Sequence, residues 1–274
     1  MIERRRTGTY IVLTLIAVVV LIPFYWMLAT ALKSEAEALL VPATLYPHEI
    51  HVENFWKALT YAPFLTYFMN TLIVAAIVVA CSTVISILAA FAFAWLRFPG
   101  KNILFLLVLA TMMIPQEMLI ITNFMTIAHW KWLNTVQALV LPFCVNAFNI
   151  YLLRQSMLQI PNELYTASKI DGLSDFRFLR KVVLPIVKPT VLTIMILSMI
   201  WIWNTYAWPN LVTTQDSLRM VSNGLQNAFT NSTGNIQYEL QMSAATMVTI
   251  PLILMFLCFR KNILAGMSKG GLKG

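Results

Sequence analysis

The 274-residue chain is 59% hydrophobic and only 11% charged, with a mean hydropathy of +0.74. A water-soluble domain carries about 25% charged residues, so this composition excludes one and points to lipid as the solvent. The net charge of +8 raises a nucleic-acid partner, but the basic residues are spread between apolar blocks, which excludes that reading.

Six apolar blocks approach the length of a bilayer-crossing helix, about 20 residues for a core of roughly 30 Å. They are residues 10–31, 70–96, 103–121, 136–153, 189–211 and 240–259. Lipid offers no partner for unpaired backbone groups, so the blocks are expected as helices. The expected fold class is all-α, a polytopic membrane protein with six spans in a single transmembrane domain over residues 1–274. Pro23, Pro115, Pro142, Pro209 and Pro251 interrupt or bound the blocks, which spanning helices tolerate where neighbours re-satisfy the backbone. The first block follows Arg4, Arg5 and Arg6 and imitates a signal peptide. Its apolar run exceeds the about 7–15 residues of a signal, so it is expected as a retained span.

With the N-terminus cytoplasmic, the inner segments hold Arg4, Arg5 and Arg6, then Arg97 and Lys101. They also hold Arg154, Lys169, Arg177, Arg180, Lys181 and Lys188, and finally Arg260, Lys261, Lys269 and Lys273. Only Lys33, Lys57, Lys131 and Arg219 fall outside. The positive-inside rule therefore orients the chain with both termini in the cytoplasm of a cell (inner) membrane, and it explains the basic charge without nucleic acid.

The longest exterior segment, 32–67, contains His48, Glu49, His51 and Glu53. A zinc-protease motif needs two His four apart on a helix, whereas these are three apart and follow Pro47, so a solvated loop is expected. Residues 213–239 form a second exterior loop. Cys81, Cys144 and Cys258 lie far apart inside apolar blocks and are expected as packing residues, with no metal site.

The segment 160–188 is polar and helix-forming in an otherwise apolar chain. Pro161 suits a first turn, and Glu163 complements the positive helix end. Leu164, Ala167 and Ile170 share one face. Gly172 sits where a helix end wants a left-handed residue, and Ser174 can cap a second short helix. Pro185 and Pro189 mark the return to the bilayer. The expectation is a helix–turn–helix knob, either an interfacial anchor or a docking element for a cytoplasmic partner.

Glu163 to Gly172 (ELYTASKIDG), followed by Leu184, Pro185 and Pro189, resembles the EAA loop of ABC-importer permeases. Further segments are similar to the smaller, six-span permease of maltose-type carbohydrate importers. These are Pro23 to Met27, Lys33-Ser34, Ala89 to Gly100, Leu133-Asn134-Thr135, Trp203-Asn204, Trp208-Pro209 and the Gly270 to Gly274 ending. Where that family has Glu-Ala-Ala, this chain has Thr166, Ala167 and Ser168. The resemblance spans essentially the whole chain. It implies an ATPase-coupling loop carried by Glu163, Ala167, Ser168, Asp171, Gly172, Leu184 and Pro185. It also implies a second, non-identical permease subunit, two ATP-binding cassette subunits that hold ATP and Mg, and an extracytoplasmic solute-binding protein. The tail at 261–274 is implied to reach the ATPase dimer.

Polar groups inside spans usually face a bundle interior or cavity. Asn146 and Asn149 lie three apart, and Trp203 and Asn204 lie in the fifth block. Amides suit sugar hydroxyls and an aromatic face suits a pyranose, so these four are candidate pathway contacts, with inter-helix hydrogen bonding as the alternative. Glu117 is an acid beside Pro115 and Gln116 near the outer end of the third block. Trp130, Trp132 and Trp208 are expected in an interfacial belt. No phosphate-binding Gly-Lys-Ser/Thr loop or catalytic constellation occurs, so the chain is expected to be a non-enzymatic permease that binds no cofactor of its own. The expected function is uptake of a sugar or oligosaccharide. Glycerol-phosphate or another polyol is the alternative cargo, and an autonomous secondary transporter the more distant one.

Overall fold

The structure is a computed structural model that describes residues 2–229 and 236–268. In chain order its helices begin with α1 (Ile2–Ala31), α2 (Glu35–Ala38), α3 (Glu53–Tyr61) and α4 (Phe64–Trp95). Then come α5 (Lys101–Thr111), α6 (Gln116–His129), α7 (Val136–Val140), α8 (Ala147–Met157), α9 (Asn162–Ile170) and α10 (Asp175–Phe178). The last are α11 (Leu184–Asn204), α12 (Ala207–Val212), α13 (Val221–Ala228) and α14 (Tyr238–Ser268). There is no β-strand among the described residues. The protein is all-α and polytopic, and among the described residues four stretches are long and apolar enough to cross a membrane, or up to six if each of two bent helix pairs is one span.

Proline chemistry explains the bends. The block 103–121 is α5 and α6, which meet at 95°. Pro115 has no N–H to donate, and its ring drives Ile114 out of helical conformation, so one helix stops and another starts. The block 136–153 is α7, a tight turn at Leu141–Phe143 containing Pro142, and α8, with a 42° bend. Asn146 lies in this break and caps α8, its side chain accepting from the Asn149 N–H at 3.1 Å.

The fifth span starts earlier than the block 189–211. A wide π turn at Leu179–Val183 leads into α11, the Leu184 N–H bonding back to the Leu179 carbonyl. In a regular helix the Pro185 ring would strike the carbonyl of Lys181, four residues earlier, and the widened turn falls at that carbonyl. Pro189 is then accommodated inside α11, which ends at Asn204. At the other end of the chain, backbone helix continues to Ser268, and residues 269–274 of the expected tail lie outside the described residues.

The chain divides into two compact units, 1–65 with 223–254, and 66–222 with 255–274. In the first, Ala58, Phe64, Phe229, Leu240 and Ala244 form an apolar cluster. Asn54 Nδ2 donates to the carbonyls of Ala31 (3.0 Å) and Lys33 (2.8 Å), and Ser243 Oγ also donates to Ala31 (3.1 Å). The two bonds to Ala31 satisfy the orphan carbonyl of the last residue of α1, and the bond to Lys33 ties down the turn that follows. Glu37 gathers the loop that follows, accepting from Thr44 Oγ1 (2.8 Å) and from the His48 backbone N–H (3.2 Å), with His48 Nδ1 at 2.7 Å. His51 Nδ1 lies 2.8 Å from Glu53, so both histidines of the sequence cluster engage carboxylates.

In the second unit, Val74, Val78, Leu139, Ile202, Trp208 and Met220 belong to one buried cluster. Phe91, Leu153, Met157, Phe178, Leu179 and Val183 belong to another. The end of α4 is held by cations from two neighbouring helices. Lys101 Nζ donates to the carbonyls of Ala94 (3.1 Å) and Leu96 (3.0 Å), and Arg154 Nε donates to Phe93 (3.1 Å). Positive charge at a helix C-terminus is favourable in both hydrogen bonding and dipole.

Candidate functional site

Two places in the second unit gather the candidate residues. The first is the knob of α9 and α10. The Leu173 N–H bonds to the Ser168 carbonyl (2.9 Å) and the Gly172 N–H to that of Lys169 (3.1 Å). With Gly172 at φ +72°, this is a Schellman ending of α9. Ser174 Oγ then accepts from the Arg177 N–H and starts α10. Tyr165 OH donates to Asp175 Oδ1 at 2.8 Å, and Lys169 Nζ meets the same oxygen at 2.7 Å, closing the two helices on each other. The hydrogen bond to Asp175 raises the Lys169 pKa above its ordinary value; burial, with the separate Tyr165–Asp175 hydrogen bond, raises that of Tyr165.

The knob is fixed to the helical core through aromatic rings. Tyr165, Trp95 and Phe178 have mutual centroid distances of 5.0–5.3 Å. Phe178 is fully buried, and Ser168, 5% exposed, faces inward beside Tyr165. The apolar stripe of Leu164, Ala167 and Ile170 therefore points away from the core, and Ile170 is 82% exposed. Glu163, Thr166, Asp171 and Pro185 are exposed as well, while Leu184 is half-buried against the cluster that holds Phe178. Sequence periodicity identifies the stripe, but only the placement of Tyr165 shows which way it faces.

The second place is a pair of cavities at the bends. One, about 230 Å³, is lined by Gln116, Glu117 and Asn123 from α6, by Pro142 and Phe143, and by Trp201 and Trp208. The other, about 170 Å³, is lined by Ser82, Asn146, Asn149 and Ser198 together with Gln116, Pro142, Phe143 and Trp201. The shared wall includes the edge-to-face pair Phe143–Trp201, with centroids 4.8 Å apart. The walls combine amides, hydroxyls, one carboxylate and flat aromatic surface, an inventory suited to a hydroxyl-rich solute.

The four pathway candidates separate. Asn146 and Asn149 line the smaller cavity, and Asn149, 2% exposed, also donates to Ser198 Oγ (3.1 Å) and Ser82 Oγ (3.4 Å), joining three helices. Trp203 lines neither cavity. It is buried edge-on against Phe68 at 5.5 Å. Asn204 is exposed and donates to the Ile200 carbonyl of its own helix at 2.7 Å. The cavity aromatic is Trp201, two residues earlier. Gln116 and Asn123, seven apart on one face of α6, join the candidate residues, and their helical spacing after Pro115 is the sequence signal that marks them. Trp208 is buried rather than in an interfacial belt, because its indole N–H has a carbonyl partner in Ala138 at 2.8 Å.

Comparison with known proteins converges on one family. Residues 82–269 match the family described as binding-protein-dependent transport system inner membrane component. The sn-glycerol-3-phosphate transport system permease protein UgpE of Salmonella typhi is 32% identical, over 97% of this chain and 98% of its own. Its namesake in Escherichia coli O1:K1 / APEC is 30% identical over 91% of each. A bacterial ABC transporter involved in import of the acidic polysaccharide alginate matches in fold. Its TM-score is 0.84 at 22% identity, covering 94% of this chain and 96% of that one.

Proposed function

The chain belongs to the binding-protein-dependent transport system inner membrane component family, and from that premise we propose that it is one of two unlike permease subunits of an ATP-driven importer for a sugar or oligosaccharide. Two ATP-binding cassette subunits hold ATP and Mg and hydrolyse the nucleotide, since this chain has no phosphate-binding loop. An extracytoplasmic binding protein delivers the solute. Partner states that favour different helix arrangements drive alternating access. The distribution of basic residues supports cytoplasmic termini and a cytoplasmic knob.

One observation carries the coupling role: α9 exposes Leu164, Ala167 and Ile170 while its opposite face is bolted to Trp95 and Phe178. An apolar stripe on a rigid support is a surface built for a partner. Glu163 and Asp171 flank it, and Thr166 stands where relatives of the maltose type carry Glu. The test is Leu164→Glu and Ile170→Glu in the complete importer. Both variants are expected in the membrane at normal levels but with loss of ATPase-subunit co-purification and of ATP-dependent uptake. Co-purification and uptake at wild-type levels would refute the assignment.

A phosphorylated polyol is the second reading of the cargo. It is favoured by the relatives of about 30% identity, which are named as permeases of sn-glycerol-3-phosphate transport.

A further inference from the structure

At 2% exposure, Lys33 is buried as deeply as a core aliphatic residue, just past the end of α1. Its ammonium donates to the Thr44 carbonyl at 2.6 Å and lies 4.8 Å from the centre of the Trp26 ring. Among the described residues no carboxylate forms an ion pair with it. Glu37, which shares Thr44 with it, has both carboxylate oxygens engaged by Thr44 and His48. A neutral carbonyl and a ring face offset only part of the cost of burying an ammonium. Beside Lys33 is a cavity of about 170 Å³, whose wall includes Trp26, Thr30, Lys33, Tyr238 and Met242. Thr30 is 7% exposed, and its Oγ1 has no hydrogen-bond partner. One small space is thus bounded by a cation lacking a counter-charge and by a residue with an unpaired buried hydroxyl. Both groups donate, and the oxygens of an anion accept from both.

The depth of the cavity selects the anion. The apolar stretch of α1 ends at Ala31 and that of α14 begins at Tyr238, so the cavity lies where both reach the headgroup layer. Trp and Tyr are the residue types favoured at that depth, and phospholipid supplies its phosphates. The glycerol and first acyl carbons of a lipid can lie on Trp26 and Met242, an apolar side that free phosphate would leave unused. We propose that this cavity is a phospholipid site, in which Lys33 and Thr30 hold the phosphodiester of one lipid. The importer reading, with cytoplasmic termini, places that lipid in the outer leaflet; the chemistry of the site does not depend on it.

The test uses the complete permease–ATPase complex, delipidated in a neutral detergent. It is titrated with phosphatidylglycerol carrying a diazirine on the first carbons of one acyl chain, and with the matching diacylglycerol that lacks the phosphate. After photolysis, mass spectrometry of peptides bearing Trp26 and Met242 reads occupancy. Phosphatidylglycerol is expected to label them at roughly tenfold or more lower concentration than diacylglycerol, the ratio a charge-assisted contact produces. Lys33→Met should abolish that preference. Thr30→Val leaves the Lys33–Thr44 bond in place and should reduce the preference roughly fivefold, which separates loss of a ligand contact from collapse of the loop. No labelling of these peptides in wild type, equal labelling by both probes, or an unchanged preference in Thr30→Val overturns the proposal. Displacement of the lipid by millimolar inorganic phosphate overturns the lipid as occupant. So does carbodiimide coupling of Lys33 to a carboxylate of another subunit. ATP-driven uptake into proteoliposomes keeps the two readings apart: its absence for every solute, with labelling intact, refutes the importer and leaves the lipid site standing.

Discussion

Trp208 repairs a defect that Pro142 creates at Ala138. In an unbroken helix the Ala138 carbonyl would accept from the N–H of residue 142, which proline lacks. The indole Nε1 of Trp208 donates to that carbonyl instead, at 2.8 Å, and the ring stays buried beside the larger cavity. The bend that opens the cavity and the aromatic that walls it are thus one device. Trp208→Phe keeps the ring and strands the carbonyl, a loss of about 1–3 kcal/mol for a buried unsatisfied group. Pro142→Ala restores a backbone donor, so the double variant should recover part of the loss. Thermal unfolding of the purified complex, run as a double-mutant cycle, checks this; strictly additive losses would contradict the relationship.

The ending of α9 depends on backbone chirality alone. Gly172 has φ +72°, and a Cβ added there meets nothing within 4 Å, so only the left-handed conformation opposes substitution. Gly172→Ala should therefore cost about 1–2 kcal/mol, and Gly172→Asn less, because Asn visits this region more readily. ATPase-subunit association should fall in the order Gly, Asn, Ala. A reversed order in quantitative co-purification would show that the position acts through side-chain contact instead.

How far the sequence carries is clear from particular elements. Blocks 10–31 and 240–259 lie within single helices and 70–96 overruns α4 by one residue, since unbroken apolar runs leave lipid-embedded backbone no other choice. The local signals at Glu163, Gly172 and Ser174 are equally legible, because capping involves neighbours a few residues apart. The bends at Pro115 and Pro142 are different. A proline marks a possible break, but whether the helix bends depends on groups distant in sequence, such as Trp208 for Ala138. The same limit separates Trp201 from Trp203. Both lie in one apolar run, and the rotation of α11 that puts one in the cavity and the other against Phe68 is set by packing.

The loop after α1 should respond to acid through Glu37. Burial pushes its carboxyl pKa up, but hydrogen bonds from Thr44 and His48 outweigh this and hold it below the usual carboxylate range. A carboxyl lowered by folding adds stability above its unfolded pKa of about 4.3, and loses it as pH falls through the lower folded value. The stability difference between wild type and Glu37→Gln should thus be steady at neutral pH and shrink below about pH 4. Unfolding midpoints of both proteins across pH 3–7 test the sign; a difference that grows toward acid would contradict it.

The amides of the central spans should part company on substitution. Asn149 ties α8 to α4 and α11 through Ser82 and Ser198, and the residue lines the smaller cavity. Asn149→Ala should lower the stability of the assembled complex by about 0.6–2 kcal/mol, the range for inter-helix hydrogen bonds in lipid, and lower uptake with it. Asn204 bonds only the carbonyl of Ile200 among the described contacts and lies outside both cavities. Asn204→Ala should leave assembly intact and change uptake little. Trp201→Ala removes the indole from the wall shared by the two cavities and should depress uptake while assembly persists. Size-exclusion profiles paired with uptake in proteoliposomes resolve the three cases. Strong uptake loss in Asn204→Ala with normal transport in Trp201→Ala would move the solute path from these cavities to the end of α11.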